Sequence, residues 1–216
     1  MPTSAQEGLD NLANRLANIA FDSEYHVSKS GSDTSGNGSY EKVGYLTVGA
    51  AISASNSLPD SQSVVVYVHP GMYSENITIV KPKTSIVGST NTFSNGSQIN
   101  GTITIDPRTV LDSVYSTIFT FENLLLMTNS GNVIQFIGSN TGYLHVSFCK
   151  LWSSTSGNLV FFDNSSATSV RTAFFKSQLH MSNGTGSCLE CKSGRTINAG
   201  IQHCDVYGNS SKNSVI

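Results

Sequence analysis

The sequence contains little charge and no long hydrophobic run. Asp, Glu, Lys and Arg make up only 12% of its 216 residues, and no basic block is longer than two residues. A groove that binds nucleic acid through phosphate contacts is therefore not expected. No apolar run reaches the roughly 18 residues of a membrane-spanning helix. The N-terminus also lacks the basic start and apolar segment of a secretory signal, so we expect neither a membrane span nor secretion by that route.

Only four cysteines occur, and their spacing does not favour a metal site. Cys188 and Cys191 have the spacing of half a zinc site. They lie, however, in a segment with strand character, where positions three apart point to opposite faces. We therefore expect small buried side chains, and no metal or cofactor.

Helical patterns occur only towards the N-terminus. One apolar stripe with helical spacing is formed by Leu9, Leu12, Leu16 and Ile19. It predicts an amphipathic helix in residues 1–24, which either docks on its own domain or serves as an attachment or oligomerisation device. A second, short helix is predicted near residues 46–55, with Thr47 as its N-cap.

The rest of the chain is rich in small polar residues and repeats itself. Ser, Asn, Thr and Gly account for 92 of the 216 residues, which suits many turns and short strands. From about residue 117, two sets of residues recur with a common period of about 27. The first set is Asn132, Asn158, Ser187 and Ser214, and the second is Phe121, Phe148, Phe175 and His203. Such a period predicts a solenoid. Three short strands per repeat predict an all-β, right-handed parallel β-helix over residues 25–216.

The repeat also predicts contacts between coils. The expected internal aromatic stack consists of Phe121, Phe148 and Phe175. Asn132 and Asn158 are expected to form an asparagine ladder that satisfies backbone groups of the next coil. Cys149 and Cys204 fall two coils apart, roughly 10 Å along the stack, which is too far for a disulfide.

Three segments of the N-terminal half carry motifs. They are Tyr25-His-Val-Ser-Lys-Ser-Gly-Ser-Asp33 with Gly36-Asn-Gly38, then Tyr45-Leu-Thr-Val-Gly-Ala-Ala-Ile52, and Val66-Tyr-Val-His-Pro-Gly-Met-Tyr-Ser-Glu-Asn-Ile-Thr-Ile79 with Ser85-Ile-Val-Gly88. Together they resemble the start of the pectin-lyase-like right-handed parallel β-helices, in which the second segment is the capping helix. The resemblance implies the fold and says little about activity, because pectin esterases, polysaccharide lyases, phage tailspikes and virion proteins share it.

The catalytic motifs of that family's enzymes are absent from the sequence. Esterase-like, polygalacturonase-like and calcium-dependent lyase sites all need clustered acids. From residue 110 onward the acids are isolated: Asp112, Glu122, Asp163, Glu190 and Asp205. We therefore expect no enzyme and no catalytic residues.

One weak polar cluster remains, formed by Lys176, His180, Asp205 and Tyr207. A general base beside a lysine is one interpretation of it. The other is a solvated charge ladder, in which Lys176 faces Asp205 one coil further on.

These observations favour a non-catalytic structural subunit of a viral particle or phage appendage. Its expected location is the virion, assembled in the host cytoplasm. Its expected partners are other subunits of the assembly, including copies of itself, and a trimer is one such arrangement. Two alternatives stay open: a carbohydrate-active enzyme, and a glycan-binding surface module, which exposed aromatic stripes would favour.

The last residues, Asn213 to Ile216, open a new coil in this register. A stack that stopped there would expose an apolar end, which solenoids normally cover. We therefore expect that the chain continues beyond Ile216 or that another subunit packs on the last coil.

Overall fold

The computed structural model describes residues 23–40, 43–89, 95–108, 117–138, 142–154, 157–164, 170–182, 186–191 and 197–208. The predicted N-terminal helix with Leu9, Leu12, Leu16 and Ile19 lies outside these residues, as does the predicted coil opening at 213–216. Within the described ranges, no helix is both long and apolar enough to cross a membrane.

Eighteen strands form three parallel sheets, which we call A, B and C. Sheet A contains β1 (Ser23–Val27), β2 (Val64–Val68), β5 (Thr84–Gly88), β8 (Ile118–Glu122), β11 (Tyr143–Ser147), β14 (Val170–Phe175) and β17 (Ile197–Gln202). Sheet B contains β3 (Gly71–Ser74), β6 (Ser97–Asn100), β9 (Leu125–Thr128), β12 (Lys150–Ser153), β15 (Gln178–Met181) and β18 (Asp205–Tyr207). Sheet C contains β4 (Ile77–Ile79), β7 (Ile103–Ile105), β10 (Ile134–Gly138), β13 (Val160–Asn164) and β16 (Leu189–Cys191). The chain visits A, B and C in turn, which confirms the predicted parallel β-helix. Its first strand, β1, begins at Ser23, two residues before the start assigned to the β-helix from the sequence.

The predicted repeat length holds best in sheet B. Residues paired between neighbouring strands of that sheet are 25 to 28 positions apart in sequence. Sheet A departs from this period near its start, where Thr84 pairs with Val64 on one side and with Phe119 on the other. These two coils are therefore shorter and longer than the repeat that follows them.

The core runs along the axis of the stack because alternate residues of each strand point inward. In β2 the inward residues Val64, Val66 and Val68 are fully buried. The neighbouring strands of sheet A add one inward column, which contains Val66, Ile86, Phe121, Val146 and Phe174.

The predicted internal stack of Phe121, Phe148 and Phe175 is wrong. Only Phe121 is in the core, whereas Phe148 is 36% exposed. Successive coils here measure 25 and 28 residues, so the inward position passes from Phe121 to Val146 and Phe174. A strict 27-residue count therefore leaves the inward column after Phe121.

A single residue in each coil turns the corner between sheets A and B in the left-handed conformation. These residues are Asn123, Phe148, Lys176 and His203, with φ values of 56°, 53°, 45° and 54°. Side chains other than glycine adopt this conformation rarely, and for a bulky residue it is an outlier. The corner directs Phe148 outward, where its ring contacts Phe175 edge-on at 5.8 Å.

The predicted asparagine ladder is present and is longer than expected. Asn132 Oδ1 accepts a hydrogen bond from the Asn158 N–H (2.9 Å), and Asn158 Oδ1 accepts one from the Ser187 N–H (2.7 Å). One coil earlier the Thr102 hydroxyl donates to the Asn132 carbonyl (2.9 Å), and the Thr102 N–H donates to Asn76 Oδ1 (2.8 Å). These contacts satisfy backbone groups at the turn before sheet C, where the strands do not pair.

The one helix of the described chain, α1 (Val48–Asn56), packs against β1, β2 and β4. It buries Val48, Ala51 and Ile52 on the first strands of the stack, and Thr47 Oγ1 accepts from the Ala50 N–H at 3.2 Å. The predicted capping helix and its N-cap are therefore confirmed.

All four cysteines are free. Cys149, Ser177 and Cys204 occupy equivalent positions in three successive coils, so the two cysteines lie two coils apart, as expected. Burial raises the pKa of the Cys149 thiol to about 12 and also raises that of Cys188.

Candidate functional site

The two acidic residues of the N-terminal motifs hold the capping helix in place. Both oxygens of Glu75 accept from the first N–H groups of α1, Oε1 from Val48 (2.8 Å) and Oε2 from Gly49 (2.7 Å). Asp33 Oδ1 accepts from the Leu46 and Thr47 N–H groups at 2.8 and 3.0 Å. A carboxylate beside a helix N-terminus satisfies unpaired donors and meets a favourable dipole. Asp33 and Glu75 therefore form part of the capping structure.

Other motif residues also contact the chain around this end of the stack. The Tyr73 hydroxyl donates to the His69 carbonyl (3.1 Å), and Lys29 Nζ lies 3.9 Å from the centre of the Tyr73 ring. His26 Nδ1 and His69 Nε2 are hydrogen-bonded at 3.0 Å. The motif segments thus tie the opening loop to sheets A and B.

The structure brings together only part of the weak cluster predicted from the sequence. His180 and Tyr207 are paired in β15 and β18, with ring centroids 5.6 Å apart. Asp205 lies in the adjacent outward column, where its partner one coil earlier is Gln178. Lys176 is at the corner between sheets A and B, with Nζ 5.3 Å from the centre of the Phe175 ring. Lys176 therefore does not face Asp205.

His180 and Tyr207 belong to a larger outward-facing surface of sheet B. The register aligns Met127, Trp152, His180 and Tyr207 in one outward column. We call these four residues the B-face. Tyr207 is 49% exposed, and the other three are half-buried. In the earlier coils this column is polar, with Ser74 and Asn100.

Trp152 was missed as a surface residue because its neighbour Leu151 indicated a core strand. The two residues alternate: Leu151 is fully buried, whereas Trp152 points outward and its indole Nε1 donates to Ser182 Oγ at 2.9 Å. The signal was available in the period-two pattern of Lys150 to Ser153, once the inward position was known. The hydrogen bond fixes the indole orientation on the surface.

In the part of the chain that the structure describes, no group of three or more His, Cys, Asp or Glu side chains is arranged to hold a metal ion. The B-face offers ring faces, a thioether and an imidazole, which suit contact with an apolar or mixed surface.

Comparison of the chain with protein-family models, with curated proteins and with solved structures finds no match.

Proposed function

We propose that this protein is a non-catalytic β-helix subunit of a viral particle or phage appendage, of the pectin-lyase-like type, and that it assembles through the B-face. The observation that carries the proposal is the exposed column of large side chains on sheet B. Contiguous exposed apolar surface marks interaction sites more often than free solvent-facing surface. Aromatic residues and Met are also enriched at protein interfaces.

The commitment of the motif acids supports a structural role. Asp33 and Glu75 each accept two backbone hydrogen bonds at the start of α1. A carboxylate held in this way is not positioned to exchange a proton with a substrate. The proposed role needs a stiff, capped stack, and these contacts provide the cap.

The assembly proposal is tested by measuring mass in solution with wild type and two variants. We expect a defined oligomer, a trimer being one arrangement, in multi-angle light scattering and sedimentation velocity. Met127→Lys places a charge on the B-face and should shift the protein to monomer. Thr78→Lys changes an exposed position of sheet C and should leave the oligomer intact. A wild-type monomer at high micromolar concentration would count against assembly through this face.

The non-catalytic part of the proposal has its own assay. Incubation with pectin, polygalacturonate and other anionic glycans should release no reducing ends and no unsaturated products. Turnover that disappears in Asp205→Asn or Lys176→Ala would overturn the structural role and favour a carbohydrate-active enzyme.

A further inference from the structure

Gly200 lies in the interior of β17, on the outward side of sheet A, in register with Ala173 and His145. Glycine weakens a strand interior, and it usually marks a bulge, a tight bend or the close approach of another group. The pairing of β14 with β17 is continuous from Val170–Ile197 to Phe175–Gln202, so no bulge occurs. A Cβ placed on Gly200 would meet no atom within 4 Å. The fold itself therefore gives no reason for glycine at this position.

The space in front of Gly200 is a surface depression of about 270 Å³. It is lined by Tyr143, His145, Ala173, Phe175, Gly200 and Gln202, together with Phe174. The small residues Ala173 and Gly200 form its floor, because the outward column shortens from His145 to these two positions in successive coils. The depression spans three strands, roughly 10 Å along the stack.

The aromatic side chains around the depression are held in fixed orientations. Tyr143 and His145 project from the same face of β11, and their ring planes differ by only 9° at a centroid distance of 6.3 Å. On the other side, Phe175 contacts Phe148 and His203 edge-on, at 5.8 and 6.0 Å. Rings that are already oriented lose little freedom when a ligand packs on them.

The lining combines ring faces with neutral hydrogen-bonding groups. Tyr143, His145 and Gln202 provide a phenol, an imidazole and a primary amide, and the seven lining residues include no carboxylate. A pyranose ring presents the matching chemistry, since its C–H faces pack on aromatic rings while its hydroxyls both donate and accept. Pockets that combine apolar walls with a few polar groups are typical of small-ligand sites.

We propose that this depression binds one sugar unit of a glycan. The sugar ring lies over Ala173 and Gly200, between the Tyr143–His145 pair and Phe175, with Gln202 bonded to its hydroxyls. The site is on sheet A, apart from the B-face, so the proposal does not depend on assembly of the protein.

The test begins with the full chain on a glycan array of neutral, N-acetylated and acidic oligosaccharides. The best-bound oligosaccharide is then titrated calorimetrically against the wild type and Gly200→Tyr. The added side chain has room in the folded protein but occupies the depression, so binding should be lost. Gly208→Tyr is the matched control, because a Cβ on Gly208 also meets nothing within 4 Å and Gly208 does not line the depression. That variant should bind like the wild type.

A second variant keeps the test decisive if Gly200→Tyr fails to fold. Gln202 is exposed at the end of β17, so Gln202→Ala should leave the melting temperature unchanged and weaken binding about tenfold, the equivalent of one lost hydrogen bond. Met127→Lys, on the B-face, should bind as tightly as the wild type. The proposal is overturned if the array shows no bound glycan, or if binding survives in both Gly200→Tyr and Gln202→Ala.

Discussion

The Cys149 thiol is the most strongly perturbed titratable group of the described core. It is fully buried between coils, and this burial raises its pKa from 9.0 to about 12. The folded protein therefore keeps a proton that the unfolded chain releases above pH 9. A group of this kind leaves stability unchanged below the unfolded pKa and reduces it as the pH rises towards the folded pKa.

We predict that the free energy of unfolding falls between pH 9 and 12, with Cys149 contributing a slope of up to about 1.4 kcal/mol per pH unit. Urea denaturation at several pH values measures this slope. Cys149→Ala removes the titrating group and should give a shallower fall, whatever its stability at neutral pH. Equal slopes for the two proteins would show that the thiol does not contribute.

Asn158 has a different role at the same scale, since it connects three coils. Its backbone N–H donates to Asn132 and its side-chain oxygen accepts from Ser187. Asn158→Ala would leave the Ser187 N–H without this acceptor at a position where Asn158 is only 8% exposed. A lost partner for a buried donor costs about 1–3 kcal/mol.

We therefore predict that Asn158→Ala lowers the urea midpoint by that amount. Asn129→Ala is the control, because Asn129 is exposed and accepts only from the Ser154 hydroxyl in an exposed contact (3.1 Å). It should change the free energy of unfolding by less than about 0.5 kcal/mol. Similar losses in both variants would argue that the ladder contributes no special stability.

Among the elements, α1 depends most on side chains from outside itself. Its own N-cap, Thr47, satisfies one N–H, whereas Glu75 satisfies two others from the turn between β3 and β4. Glu75→Gln keeps the shape but removes the negative charge and one of the two acceptor oxygens. Helix capping and the helix dipole together make this worth about 1–2 kcal/mol.

We predict that Glu75→Gln loosens α1 from the stack as well as lowering overall stability. Hydrogen exchange should become faster at the amides of Val48 and Gly49, which lose their acceptors, before it changes in β12. Glu190→Gln alters an exposed carboxylate in β16 and should leave exchange in α1 unchanged. Unaltered protection of Val48 and Gly49 in Glu75→Gln would contradict the capping role.

The elements that the sequence predicted best are those with local signals. Thr47 before an apolar turn predicted α1, and the recurrence of Asn132 and Asn158 predicted the ladder. The failures have one cause, which is that the coils differ in length by a few residues. Because the coil after Phe121 has 25 residues, Phe148 moves from the expected core to the outer corner.

The candidate surfaces were less predictable than the fold for the same reason. Trp152 and Tyr207 are 55 positions apart, and only the pairing of β12, β15 and β18 shows that they share a column. A sequence repeat indicates which positions are equivalent, but the inward or outward direction follows from the register of each strand.

At the scale of the whole molecule, each strand bonds only to strands one coil before or after it. Stability is then close to a sum of coil and interface contributions. Tyr143 pairs with Arg171, so residues 143–170 make up one complete coil of 28 residues.

We predict that deletion of residues 143–170 yields a folded β-helix with one coil fewer. Phe121 would then lie below Phe174, and Leu126 below Leu179, so the apolar columns continue. Circular dichroism should retain the β signal, with a lower melting temperature because less apolar surface is buried. Deletion of residues 143–156 brings a sheet C strand to a sheet A position and should abolish cooperative melting. Cooperative folding of both deletions would show that register between coils is not required.

The asparagine ladder also bears on how the protein ages chemically. Spontaneous deamidation begins when the backbone nitrogen of the following residue attacks the asparagine side chain. The nitrogens that follow Asn76, Asn132 and Asn158 each donate a hydrogen bond to the next coil, at 3.1, 2.9 and 3.1 Å. Closing the succinimide ring would require breaking that bond and turning the backbone out of the stack. The ladder asparagines should therefore keep their amides for as long as the coils stay paired, which gives the stack a long chemical lifetime.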